Sequence, residues 1–412
     1  MAATDLRDAQ HFVVSNCQPL DAVDLPIREA FGCVLAETVI SPEAVPPFAN
    51  TAMDGFAVRA EDITDVPCDL EVISTLAAGA QPTVPVGSGQ AIRIMTGAAM
   101  PDGADSIVPV ENVDPEAPEG TVRVLHKPNF GDAVRAAGED VKVGQEVFAA
   151  GSVLTSGHLG VLASVGRSLV RVHRKVRVGV LSTGDELISP PTPLLVGQIR
   201  DSNRFTLLSL VSEANAEPVD LGLARDSEDE IREKVQEGLA TCDALVTSGG
   251  VSVGDFDFVK VVLDKLSAAS EQPMRWMQIN IKPAKPLAFG LIHGKPVFGL
   301  PGNPVSSMVS FEVFARPALR RMMGHDDASL HRRTIRAIAG EDLRRGPDGK
   351  THFARVFGSF NGEGRLVVRS SGGQASNLLR TMALANALAV LPDGDTIRAG
   401  QEVDVMLLDS PV

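Results

Sequence analysis

The chain has 412 residues with 38 basic and 52 acidic side chains, a formal net charge of −14 at neutral pH. At roughly 150 residues per domain this makes two to four folding units, each long enough to bury a core. A hydrophobic fraction of 44% excludes a mostly disordered chain, and the acidic balance excludes general binding to nucleic acid or to anionic lipid. With one Trp, no Tyr and 16 Phe, base-stacking surfaces are not expected.

Cys17, Cys33, Cys68 and Cys242 are widely spaced and form no CxxC pair, so neither a disulfide framework nor a zinc knuckle is expected. The first residues are polar and no apolar run reaches the length of a membrane span, which makes a cytoplasmic location the expectation.

In chain order, the first 45 or so residues read as helical, with a stretch Leu20–Ala36 ending near Ser41–Pro47. Val45-Pro46-Pro47 marks a boundary, because proline breaks helices and extends the residue before it. From about Ala49 to Val141, short β-branched runs at Glu71–Ser74, Gln90–Met95, Ser106–Val110 and Thr121–Leu125 alternate with glycine-rich turns, predicting a small β-rich unit. Asp54-Gly55 lies between apolar residues and predicts a hairpin turn. Gly144–Val170 is of mixed character.

The apolar run Val176–Leu181 then opens a repeated strand–turn–helix pattern. Its runs continue at Pro218–Leu223, Ala244–Thr247 and Pro296–Leu300. Helices are predicted at Asn203–Ala214 (Phe205, Leu208, Leu210, Val211 and Ala214 inward), Ser227–Leu239, Phe258–Leu266 and Val305–Met323. Such repetition gives a mostly parallel sheet covered by helices on both faces. The tail from about Ser329 is β again, with strands at Thr351–Val356, Arg365–Val368 and Glu402–Leu408, and predicts a barrel or sandwich.

In doubly wound sheets ligands sit at the carboxyl ends of the strands. Three turns there carry chemistry. Ser182-Thr183-Gly184-Asp185-Glu186 offers hydroxyls, a bare glycine backbone and two carboxylates; helix capping explains the same residues equally. Ser248-Gly249-Gly250-Val251-Ser252-Val253-Gly254-Asp255 can present N–H groups to an anion, with Asp255 and Asp257 near enough for a hard cation such as Mg2+; a plain glycine-rich turn accounts for the same string. Pro301-Gly302-Asn303-Pro304 fixes a helix start. Lys282 and Lys285, each ahead of a proline, form either an oxyanion clamp or ordinary surface charge.

The strings NTAMDGFA, RIMTGAAMPDGADSIVPVE, GEDV, STGDEL, RDSNR, TSGGVSVGDFDFVK, KPAKPLAFG and GLPGNPVSS, in this order, closely resemble the MoeA-type molybdopterin molybdenumtransferases, the family that includes the E domain of gephyrin and its plant counterpart. The resemblance spans essentially the whole chain. It implies a multi-domain α/β fold in four parts. These are an N-terminal helical or mixed domain (1–45 and 143–174) that dimerises, an inserted β-rich domain (46–142), an αβα molybdopterin-binding domain (175–328) and a C-terminal β-barrel (329–412).

It also implies insertion of molybdate into adenylylated molybdopterin with Mg2+-dependent release of AMP, by a homodimer whose cleft is shared between subunits. Contact with the adenylyltransferase of the same pathway and with acceptor molybdoenzymes follows from that role.

By match of motif, Thr183, Gly184, Ser248, Gly249, Gly250, Ser252, Pro301, Gly302 and Asn303 would hold the pterin and its pyrophosphate, and Glu186, Asp226 and Asp257 the metal. Lys282, Lys285, Ser306, Arg355 and Ser376 would hold molybdate. Asp54, Thr96 and Asp140 would reach in from the partner subunit and, with Glu186, Asp226 and Asp257, take catalytic roles. Phe56 stands where the family often has Tyr, which removes one hydroxyl.

The resemblance leaves two other readings to weigh: an adenylyltransferase or competence-damage-type hydrolase sharing the αβα domain, and a non-catalytic scaffold.

Overall fold

The computed structural model describes residues 3–250 and 258–409. These fall into two compact units. One comprises Asp24–Phe31 and Glu37–Arg171, the other Met1–Val23, Gly32–Ala36 and Val172–Val412.

The first unit is built on a five-stranded sheet in the order Ser106–Pro109, Gly55–Val58, Gln90–Ile94, Cys68–Leu76, Thr121–Val124. All its pairings are antiparallel except that of Cys68–Leu76 with Gln90–Ile94. Its two faces bury separate apolar sets, Phe56, Val58, Leu70 and Val108 on one and Ala57, Ile92, Ile94 and Ile107 on the other, as strand alternation dictates. Asp54-Gly55 is not a hairpin turn. The preceding strand Asn50–Thr51 pairs with Val134–Arg135, whereas Gly55–Val58 joins the five-stranded sheet, so the turn passes the chain between two sheets.

The second unit contains the repeated strand–turn–helix segment. Its six-stranded sheet runs Glu217–Ala224, Arg177–Thr183, Ala244–Ser248, Lys295–Leu300, Pro286–Ile292, Arg275–Gln278. The first four strands are parallel, Pro286–Ile292 runs against them, and Arg275–Gln278 pairs antiparallel to Pro286–Ile292, so the sheet is mixed. Val178, Val180, Val246, Phe298 and Leu300 are buried, the near-continuous apolar signature of strands covered on both faces. The antiparallel strand Pro286–Ile292 begins at the last proline of Lys282-Pro283-Ala284-Lys285-Pro286, and the sequence reading missed it.

After residue 330 the strands Thr351–Phe360, Leu366–Ser370, Thr334–Ala339, Glu402–Leu407 and Ala387–Leu391 pair in that order. The last pairs back to the first and closes a five-stranded barrel. Ile281–Lys282 adds to Thr351–Phe360 as a parallel partner, with Lys282 opposite His352.

Three further expectations need correction. Leu20–Ala36 is not helical. The helix is Leu6–Ser15; Ala22–Pro26 is a strand, and Gly32 turns the chain at a φ of +76° before Val34 and Leu35 pair with His173 and Val172. In the helix Asn203–Glu213 the buried side chains include Asn203, Arg204, Leu207, Leu210 and Val211, while Phe205 is 47% exposed. Polar contacts of Asn203 and Arg204 turn those two inward, which rotates Phe205 out against the Arg204 guanidinium.

The long helix from 304 is α-helical over Pro304–Ser310, a π-turn over Phe311–Ala315, and α-helical again over Arg316–Met322. Pro317 has no N–H to give the preceding turn, and the wider turn absorbs that loss.

Candidate functional site

The carboxyl ends of three adjacent parallel strands bring Thr183, Gly249 and Gly302 side by side. A Cβ on Gly249 would lie 3.1 Å from the Thr183 carbonyl oxygen and 3.2 Å from its Oγ1, and a Cβ on Gly302 would lie 3.8 Å from the Gly249 Cα. Gly249 also has a φ of +97°, so both space and conformation reserve the position for glycine. Its N–H donates to Leu300 O at 3.1 Å.

Asn203, at the start of the next helix, ties two of these turns together. Its Nδ2 donates to Ser248 Oγ at 2.7 Å and to Gly302 O at 2.7 Å, while its buried Oδ1 has no partner. Below it, Asp201 accepts from Ser182 Oγ at 3.0 Å and from Arg204 Nε at 2.8 Å. The motif RDSNR is therefore the brace under the turns. The sequence reading used it as a family string and assigned Asn203 no role; its partners Ser248 and Gly302 lie 45 and 99 residues further along the chain, so no local signal pointed to them.

On the far side of Thr183, the Gly184 N–H donates to Ala224 O at 3.2 Å. The exposed Glu186 carboxylate folds back over Gly184, 2.6 Å from where a Cβ would stand. Asp226, after the outer strand, and Asp185 exchange backbone N–H to carboxylate bonds at 3.4 and 3.2 Å. Among the described residues no three His, Cys, Asp or Glu side chains form a ready-made metal cluster. Ser252 and Asp257 lie outside the described residues.

The barrel adds the cationic part. Val305 N, just past Pro301-Gly302-Asn303, donates to Ser376 O at 3.1 Å, which places the Ser376 loop against the helix that carries buried Ser306. The same loop holds Arg355, which is 1% exposed. Its Nη2 donates to Gly373 O at 2.9 Å and Ala375 O at 3.1 Å, and its backbone exchanges two bonds with the Gln374 amide at 2.9 and 3.0 Å. The Arg355 Nε is buried with no partner, and burial holds this guanidinium below its ordinary pKa. Lys282 pairs beside the Arg355 strand, and both Lys282 and Lys285 are exposed.

The structure thus links Thr183, Ser248, Gly249, Gly302, Ser306, Ser376, Arg355 and Lys282 through neighbouring turns and strands. Asp54, Thr96 and Asp140 are not part of this unit. Those lie in the other unit, where Thr96 donates to Asp54 Oδ1 through both N (2.7 Å) and Oγ1 (2.6 Å) and so holds the Asp54 carboxyl below its ordinary pKa. Asp140 N donates to Val45 O at 2.9 Å.

Bare glycine turns, small hydroxyls and exposed lysines at the carboxyl edge of a parallel sheet are the chemistry that suits an oxyanion-bearing small molecule. The chain matches the models of the MoeA N-terminal region (domain I and II) over residues 4–166, a probable molybdopterin binding domain over 179–321 and the MoeA C-terminal region (domain IV) over 336–408. It is 38% identical to the molybdopterin molybdenumtransferase of Haemophilus influenzae, covering 94% of both chains. It is 36% identical to molybdopterin molybdenumtransferase 2 of Mycobacterium tuberculosis, covering 97% of this chain and 98% of that one. It also superposes on the molybdopterin biosynthesis moeA protein of Pyrococcus horikoshii with a TM-score of 0.76 at 28% identity, over 98% of this chain and 100% of that one. The chain belongs to the molybdopterin molybdenumtransferase family and is a transferase.

Proposed function

We propose that the protein inserts molybdate into the dithiolene of adenylylated molybdopterin, with Mg2+-dependent release of AMP and formation of the molybdenum cofactor. The relatives' printed activity supports the reaction class. The observation that carries the site is the Asn203 brace, which holds Ser248 and Gly302 in one row with Gly249 and Thr183.

The N–H groups of Gly184 and Gly249 are spent on Ala224 O and Leu300 O, so in this reading the pyrophosphate lies on the side-chain-free edge at Gly250 and Gly302, and Thr183 and Ser248 bound the space beside it. Molybdate, a tetrahedral dianion, is a substrate suited to paired ammonium groups, a guanidinium fork and a hydroxyl: Lys282, Lys285, Arg355 and Ser376, with Ser306 and Pro301 near. The orphaned Arg355 Nε is a donor awaiting such an acceptor.

The exposed carboxylates Glu186 and Asp226 are hard oxygen donors of the type Mg2+ takes, usually one or two carboxylates completed by phosphate and water. Asp257 would add a further carboxylate. Mg2+ supplies neutralisation of negative charge on the pyrophosphate. Asp54, Thr96 and Asp140 act in this reading from a partner subunit of a homodimer; sedimentation should give twice the 43.4 kDa chain mass, and a persistent monomer would contradict the shared cleft.

The test is AMP release from adenylylated molybdopterin, with and without molybdate and Mg2+. Release requiring both, with product that reconstitutes an apo-molybdoenzyme, is the expected result. Release without molybdate would instead indicate a hydrolase, and binding without release a scaffold.

A further inference from the structure

The helical stretch that starts at Pro304 beside the strand ends finishes at Met322, and its far end carries a second polar assembly. At 1.5 Å per residue Arg316 lies about 18 Å along the axis from Pro304, well away from the strand ends. In the π-turn, Glu312 is 1% exposed. Arg332 takes both of its carboxylate oxygens, at 2.8 and 2.7 Å, and also donates to Glu213 and to Leu408 O. Glu312 and Arg332 are therefore spent on each other.

Arg316 is left over. Its side chain is only 10% exposed, its nearest carboxylate oxygen is the already engaged Glu312 Oε2 at 3.8 Å, and its Nη1 is buried with no partner. Arg320 uses Nε on Ser329 O and approaches the His325 ring at 3.3 Å. Arg333 is exposed and makes no ion pair among the described residues. These three arginines, with Arg332, His331 and Ser329, line a cavity of about 540 Å³.

The acids facing it are Asp409 on the rim and Asp326 near Arg320; Glu312 and Glu213 lie behind Arg332. Burial, with Arg332 and Arg320 alongside, brings the Arg316 pKa down to about 10 although Glu312 opposes the shift. A buried guanidinium short of an anion is costly, and a bound oxyanion would relieve it.

A second cavity of about 550 Å³, lined in part by Leu210, Met308 and Met382, shares Arg332, Leu408 and Asp409 with the first. Both volumes suit small molecules rather than a bare ion.

We propose that this arginine cavity is a second ligand site, which takes the phosphate group of a phosphate monoester between Arg316, Arg320 and Arg333 and its apolar body toward Met308 and Met382. The site is independent of the proposed reaction.

The test is thermal unfolding and titration calorimetry of the full chain with inorganic phosphate and with phenyl phosphate, at ionic strength held constant with chloride. Wild type should show a saturable rise in midpoint with both, phenyl phosphate binding at least five-fold tighter than phosphate. The response should persist in Lys285→Ala and be lost in Arg316→Met, whose ligand-free form should unfold no lower than wild type because a poorly matched buried charge is gone. Arg333→Gln, at an exposed position, should bind about tenfold more weakly and tests the site even if Arg316→Met fails to fold. A response no greater than that of chloride, or one lost in Lys285→Ala and retained in Arg316→Met, would overturn the proposal.

Discussion

The two ends of the 304–322 helical stretch handle charge in opposite ways. Near Pro304 the chain presents glycine turns, hydroxyls and exposed lysines, held in place by one amide, Asn203, that spends both its protons on neighbouring turns. Near Met322 it buries arginines: both oxygens of buried Glu312 go to Arg332, which also holds Glu213, and Arg316 is left 3.8 Å from Glu312. The open edge rests on a buried charge that is matched, Arg204 held between Asp201 and Asp220. A buried guanidinium cluster stores an imbalance that either destabilises the fold or is relieved by a ligand. The contrast separates residues whose removal alters turnover from those whose removal alters stability.

The strongest break of this contrast is Glu312→Gln, which leaves buried Arg316 without its nearest carboxylate and Arg332 with only the more exposed Glu213. We expect a loss of about 3–5 kcal/mol in urea unfolding. Adding Arg316→Met should restore part of it; a loss below about 1 kcal/mol would mean that the pair is not truly buried.

Lys285→Ala acts at the other end. It should raise the molybdate concentration needed for half-maximal turnover about ten- to a hundredfold, the worth of a charged hydrogen bond, with unfolding unchanged because the lysine is exposed. Unchanged molybdate dependence would remove Lys285 from the site.

Asn203→Ala sharpens the comparison by removing the brace. Turnover should fall about tenfold, and a double-mutant cycle with Ser248→Ala should give a coupling above about 0.5 kcal/mol. Additive effects would show that the two turns are positioned separately.

How much of this was legible follows from how each part is encoded. The strand-end turns are local strings, so Thr183, Gly184, Ser248, Gly249 and Gly302 stood out as turns between strand and helix before any contact was known. The four parallel strands were equally plain from their apolar runs. The barrel strand Ala387–Leu391, rich in alanine, and the antiparallel Pro286–Ile292, masked by KPAKP, were not. Phe205 was misassigned because apolar spacing cannot register that Asn203 and Arg204 go inward for polar reasons. The arginine cavity was invisible for a further reason. Glu213, Arg316 and Arg332 come from three separated segments, and each alone reads as surface charge.

A separate expected effect concerns pH. His325 is buried beside Arg320, and burial first, then that guanidinium, lowers its pKa to about 4 from an ordinary 6.5. The folded chain thus keeps this ring neutral where the unfolded chain takes up a proton. Stability is complete above about pH 6.5 and declines as pH falls toward 4. His325→Gln should flatten that decline by about one proton, read from denaturant midpoints across the window, whereas an unchanged slope would mean that the ring titrates normally in the fold.

The most direct measurement is anomalous diffraction from crystals grown with molybdate. The expected result is a molybdenum peak within hydrogen-bond reach of Lys285 and Arg355, beside the Ser376 loop. A peak confined to the Arg316 cavity, with none at the strand-end site, would contradict the account.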